Sequence, residues 1–112
     1  MYDINYFYNI IKEYDNAEDY KTYEKDGKLL NITLLYNRDF EFKTRNAKVP
    51  HFAPVEIDHL SFSEHLITFA YQGERVPSAI NYEEIDEVAV IQDENNIYNF
   101  VIALKDGMII KL

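Results

Sequence analysis

The sequence predicts an α+β fold: an N-terminal helical segment, 1–26, followed by a strongly twisted, mostly antiparallel sheet or partly closed barrel of about seven or eight short strands, 28–112. Three observations lead there. Apolar residues recur at helical spacing only near the start. After Gly27 the pattern switches to alternation. Turn residues then recur at short intervals to the end of the chain. A length of 112 residues suits one domain with a single core.

The elements follow in order. Ile4, Phe7, Tyr8, Ile11 and Tyr14 share one helical face, and Asp3 is placed to cap its first turn. A break at Asp15-Asn16 precedes a second helical piece, 17–25, which Asp26-Gly27 would end. From Lys28 to Tyr36, Leu30, Ile32, Leu34 and Tyr36 alternate on one face, with Leu29 and Leu35 on the other. Asn37-Arg38 would turn this strand into a second one, making 28–45 a hairpin whose charges at 39, 41, 43 and 45 guard a sheet edge. Pro50 and Pro54 mark 46–54 as a loop. Strands are expected at 55–62, 65–71 and 75–80, with Gln72-Gly73 as a turn. One helical turn fits 81–86, and a short buried strand fits 88–91. The clearest hairpin joins 97–104 to 108–112 through Lys105-Asp106-Gly107.

Composition narrows the function. There are 20 acidic and 11 basic residues, a formal net charge of −9, which argues against nucleic acid or an anionic membrane as a direct partner. With no cysteine, disulfides, thiolate metal sites and a cysteine nucleophile are excluded. No apolar run reaches the roughly 20 residues that span a bilayer. Met1-Tyr2-Asp3 opens without a basic stretch or an apolar one, so a cytoplasmic protein is expected.

Catalytic patterns are absent too. There is no Gly-x-Ser-x-Gly and no dinucleotide fingerprint, and three glycines leave little for a phosphate loop. His51, His59 and His65 stand at no paired metal spacing, although His59, His65 and Glu64 could meet in space. Glu83-Glu84-Ile85-Asp86-Glu87 and Asp93-Glu94-Asn95-Asn96 lack the alternating ligands and central glycine of a calcium loop. No enzyme activity, cofactor or metal is therefore expected.

The acids are not spread evenly. Residues 1–50 carry a net charge of −1 and residues 51–112 a net of −8. Between Val49 and Leu104 Arg75 is the only base, against ten acids. Crowded carboxylates repel, so such segregation carries an energetic cost. Solubility alone accounts for some of it. The sharper reading is a surface that meets a protein partner with a basic face, most naturally one that itself handles nucleic acid. Its residues would be Glu83, Glu84, Asp86, Glu87, Asp93 and Glu94, with Tyr82 and Tyr98 as aromatic anchors. By analogy of class, small acidic proteins without motifs occur among phage anti-defence inhibitors, including anti-CRISPR and anti-restriction proteins.

Two alternatives stand beside it. Six of the ten tyrosines lie in the first 23 residues, so the helix could serve self-association into a homo-oligomer. A curled sheet could instead enclose a small-molecule pocket. Residues 80–88 and the two strands after them also resemble a segment of pleckstrin-homology-like bacterial domains. Those domains end in a helix where this chain ends in a strand, and no residue role is carried over.

Overall fold

Asp3 starts the first helix with its side chain. In the computed structural model, which describes residues 2–36, 38–44, 55–71 and 78–112, its Oδ1 accepts the Tyr6 N–H at 2.9 Å. Helix α1 runs Ile4–Tyr14 and buries Ile4, Phe7 and Ile11. It stops at Asp15, whose backbone turns extended while its N–H still reaches the Ile11 carbonyl at 2.8 Å.

The second helical piece does not form. Residues Tyr20–Lys25 are strand β1, paired antiparallel with β2, Lys28–Leu34. Lys25 lies opposite Lys28, so Asp26-Gly27 is a two-residue hairpin turn. Its φ angles of 54° and 75° are both left-handed, which matches strand twist and selects an Asp-Gly pair. A left-handed glycine also ends helices, which is why the same dipeptide reads either way. Residues 17–25 have no apolar stripe to bury, and the strand leaves everything but Tyr20 exposed. Changing Gly27 to Ala is expected to cost about 1 kcal/mol, a backbone effect alone. Space around its Cβ position is open. The denaturant midpoint would measure it.

β2 carries a bulge. Tyr23 faces Asn31 and Glu24 faces Leu29, leaving Leu30 extra. The extra residue flips the alternation, so Leu29 is buried together with Ile32 and Leu34. The predicted phase, with Leu30 on that face and Leu29 opposite, holds only beyond the bulge.

Five further strands complete the first part of the chain and its middle: β3, Arg38–Thr44; β4, Val55–Ser63; β5, Leu66–Tyr71; β6, Ser78–Asn81; and, after a 3₁₀ turn at Tyr82–Glu84, β7, Ile85–Gln92. β8, Tyr98–Leu104, and β9, Met108–Lys111, form the expected C-terminal hairpin. Nine strands thus stand among the described residues, in place of seven or eight. The predicted loop 46–54, the Gln72-Gly73 turn and residue 45 lie outside them.

The sheet is organised around β4. Ile57 pairs with both Arg38 and Tyr71, and Phe62 with both Ile32 and Ile67. β5 therefore lines one edge of β4, while β2 and then β3 line the other. β1, β2, β4, β5 and β6 make one sheet of five; β7, β8 and β9 make a second of three. β3 passes between them, its first residues on β4 and its last on β9. The expected 28–45 hairpin is absent, because β2 and β3 each pair with β4 instead. β3 has a neighbour on both sides, so its charges guard no edge.

The pairings do not return on themselves. β1 and β7 are the two ends of the path, and β6 ends a short branch. Among the described residues the sheet is open, in place of a partly closed barrel. Helix α1 packs against β2 and β4. Phe7 is fully buried and stacks on Phe62 of β4 at 5.0 Å, meets Phe100 of β8 edge-on at 5.4 Å, and stacks on Tyr82 at 5.8 Å. One aromatic residue thereby joins the helix to both sheets.

Candidate binding surface

The acidic residues are set out by the 3₁₀ turn and the strand that follows it. Tyr82 holds the turn down. Its ring is buried against Phe7, and its hydroxyl donates to the Ser63 carbonyl at 2.7 Å. Its N–H donates to the His65 carbonyl at 3.2 Å. Ile85, the next inward residue, is buried as well. Glu83 and Glu84 between them face solvent, and Asn81 Nδ2 donates to Glu84 Oε1 at 2.8 Å.

Asp86 occupies a bulge. Ile85 pairs with Leu104 and Glu87 with Ala103, so Asp86 has no opposite residue on β8. Asp86 and Glu87 are both exposed. At the far end of β7, Asp93 Oδ1 accepts the N–H groups of Asn95, at 2.8 Å, and Ile97, at 3.0 Å. Asn96 is left-handed there, at φ 63°. This is the turn that Asp93-Glu94-Asn95-Asn96 predicts. Glu94 projects from it, exposed.

The six predicted carboxylates therefore form two groups, not one. Glu83, Glu84, Asp86 and Glu87 mark the start of β7; Asp93 and Glu94 mark its end. Five residues of extended chain, Val88 to Gln92, at roughly 3.3 Å each, separate the groups. All six are exposed, and among the described residues none makes an ion pair. The ion pairs there are at Glu64, which is bonded by Lys28 and lies 3.9 Å from His65. The Lys28 hydrogen bond, and then its charge, hold the Glu64 carboxyl below the usual carboxylate range.

Tyr82 and Tyr98 are not surface anchors. They are 7% and 4% exposed. The Tyr98 hydroxyl donates to Asp15 Oδ2 at 2.6 Å, as does that of Tyr36 at 2.8 Å, and Tyr14 stacks on the Tyr98 ring at 4.7 Å. Alternating burial on β8 accounts for this: Tyr98, Phe100, Ile102 and Leu104 all point inward. The N-terminal tyrosines Tyr2, Tyr6, Tyr8 and Tyr20 also pack half-buried against the core, while Tyr14 stays exposed. Tyr23, on β1, is the most exposed tyrosine among the described residues, at 57%.

Burial pushes the Tyr82 phenol well above its ordinary value, and the charge of Asp3 adds to the shift. A raised value means that the folded state disfavours ionisation. Its contribution to stability is full below about pH 10, where an unfolded tyrosine titrates, and is lost as pH rises further. Absorbance titration is expected to show a late step as the fold opens, and Tyr82→Phe is expected to reduce it by one tyrosine. A late step of unchanged size in Tyr82→Phe would mean that Tyr82 is not part of it.

Two clefts adjoin the acidic turn. One, of about 440 Å³, is lined by residues including Tyr2, Asp3, His65 and Glu83; the other, of about 450 Å³, lies between Glu83, Glu84, Leu104, Lys105 and Asp106. No group of residues suited to a metal ion occurs among those described. His51 and the His59 side chain lie outside them. No described helix is long and apolar enough to cross a membrane.

Three features had no signal in the sequence. β7 is an edge strand, and most of it is exposed where a buried strand was expected. Ile91 and Ile97 are 45% and 56% exposed. The Tyr2 hydroxyl accepts the N–H of Val88 at 3.2 Å, across 86 residues of sequence. An unbroken apolar run, Val88 to Ile91, reads as buried on both faces, whereas alternating burial leaves Ala89 and Ile91 exposed and strand order puts β7 at an edge. Compared with known proteins, the chain matches no family model, no curated protein and no solved structure.

Proposed function

We propose that this chain is a non-catalytic, acidic protein-binding module. It acts as a stoichiometric inhibitor by occluding a basic surface of a nucleic-acid-handling protein, in the manner of phage anti-defence proteins. One observation carries the reading: six exposed carboxylates frame a single edge strand and none is neutralised by an ion pair among the described residues. Held charges of one sign raise the encounter rate with a surface of the other sign. Carboxylates spaced along a strand can also occupy sites built for phosphates.

The test is an affinity pull-down from host lysate, with the wild-type chain beside a variant carrying Lys at 83, 84, 86 and 87. The wild type is expected to retain a basic nucleic-acid-handling protein that the variant does not. Salt is expected to elute it, and its activity on nucleic acid is expected to fall at one equivalent of wild type. Equal capture by both chains, or a captured protein whose activity is untouched, would overturn the reading.

A further inference from the structure

The open edge of β7 offers backbone in a definite phase. Phe100 and Leu112 exchange both backbone hydrogen bonds, each at 2.8 Å, so the N–H and carbonyl of Phe100 point away from β7. Val90, opposite Phe100, is then a non-hydrogen-bonded position, and its own N–H and carbonyl point outward. The same alternation sends those of Val88 and Gln92 outward. The Tyr2 hydroxyl confirms the phase by taking the Val88 N–H from outside. Tyr2 thus covers one end of the edge, and among the described residues no strand pairs with Val90 to Gln92 on that side.

We infer that this edge receives an extended segment of a partner protein, added as a further strand, with Lys or Arg near each end and apolar residues in its centre. The inference rests on the acidic-binder reading for the partner's charge and names how the partner docks. Charge complementarity selects the occupant. Asp86 and Glu87 stand at one end of the open stretch, Asp93 and Glu94 at the other, and Ala89 and Ile91 are exposed between them. A second copy of β7 would set like charges against like, which disfavours self-pairing. A basic segment meets attraction at both ends and apolar surface in the middle, while main-chain bonds supply the register. The other terminal strands suit such a segment less well: β1 carries Lys21 and Lys25, and β6 has four residues.

The test is amide hydrogen exchange on the intact chain, with the capped peptide Lys-Lys-Val-Thr-Val-Thr-Lys-Lys as probe and Glu-Glu-Val-Thr-Val-Thr-Glu-Glu as control. At millimolar lysine peptide, exchange at Val90 and Gln92 is expected to slow about tenfold or more. Ala89 and Ile91, already bonded to β8, are expected to change little, and the control peptide to do nothing. Gln92→Pro removes one outward donor at an exposed strand end, where proline is tolerated, and is expected to abolish the protection at Val90. No slowing at Val90 and Gln92, or equal slowing by the control peptide, would overturn the inference. Lysine-peptide binding that depends on residues 83–87 yet leaves Val90 and Gln92 exchanging freely would overturn strand addition while sparing the acidic surface.

Discussion

Replacing Phe7 by alanine is expected to destabilise the fold by about 3–5 kcal/mol, the range for deleting a fully buried aromatic ring. Phe7 is at the upper end of that range for a geometric reason. Its ring touches Phe62, Phe100 and Tyr82, which come from the five-stranded sheet, the three-stranded sheet and the turn between them. These elements are tied to one another by backbone and cannot easily close on the vacancy. A domain of this size has about 5–15 kcal/mol of stability in all, so the loss would take a large share. Urea unfolding would measure it. Phe7→Leu keeps most of the volume and is expected to lose clearly less. A loss below about 1 kcal/mol for Phe7→Ala would mean that the helix is not the keystone described here.

The second large effect concerns association. With Lys at 83, 84, 86 and 87, the region from Ser78 to Leu112 changes from seven acids and two lysines to three acids and six lysines. Steering by charge raises association rates by about 10- to 1000-fold and falls steeply with salt. Stopped-flow mixing with the captured partner is therefore expected to show association at least about tenfold slower at low salt. The salt dependence is expected to flatten, and the dissociation rate to change less. The four positions are exposed and make no ion pair among the described residues, so the fold should survive, which circular dichroism would verify. An unchanged rate at low salt would leave the carboxylates with solubility as their role.

Much of the local structure is legible in the sequence. Asp3 and the Ile4, Phe7, Ile11 spacing specify the helix, and Lys105-Asp106-Gly107 specifies the last hairpin, because both depend on neighbours in the chain. What misleads is of two kinds. Asp26-Gly27 has the same backbone preference at a helix end as in a hairpin, and only the stripe-free stretch 17–25 separates the two. The partners of β2 and β3 are set by long-range pairing with β4, which no local pattern encodes. The candidate surface divides in the same way. The acidic positions are visible as composition, whereas the edge that they frame depends on strand order. Tyr82 and Tyr98 look like surface anchors in a string of letters, yet the 3₁₀ turn points Tyr82 inward and strand phase does the same for Tyr98.

The position of β3 bears on how the chain folds during synthesis. Residues 38–40 pair with β4, but residues 41–44 pair with residues 108–111, far along the chain. Until those residues leave the ribosome, the three-stranded sheet cannot form around β9, and β3 has one bare side. Phe100 has likewise not yet closed over Phe7. Before then the nascent chain carries a half-paired β3 and an incompletely covered aromatic cluster. Pairing β3 with β9 closes a loop of more than sixty residues, which slows folding.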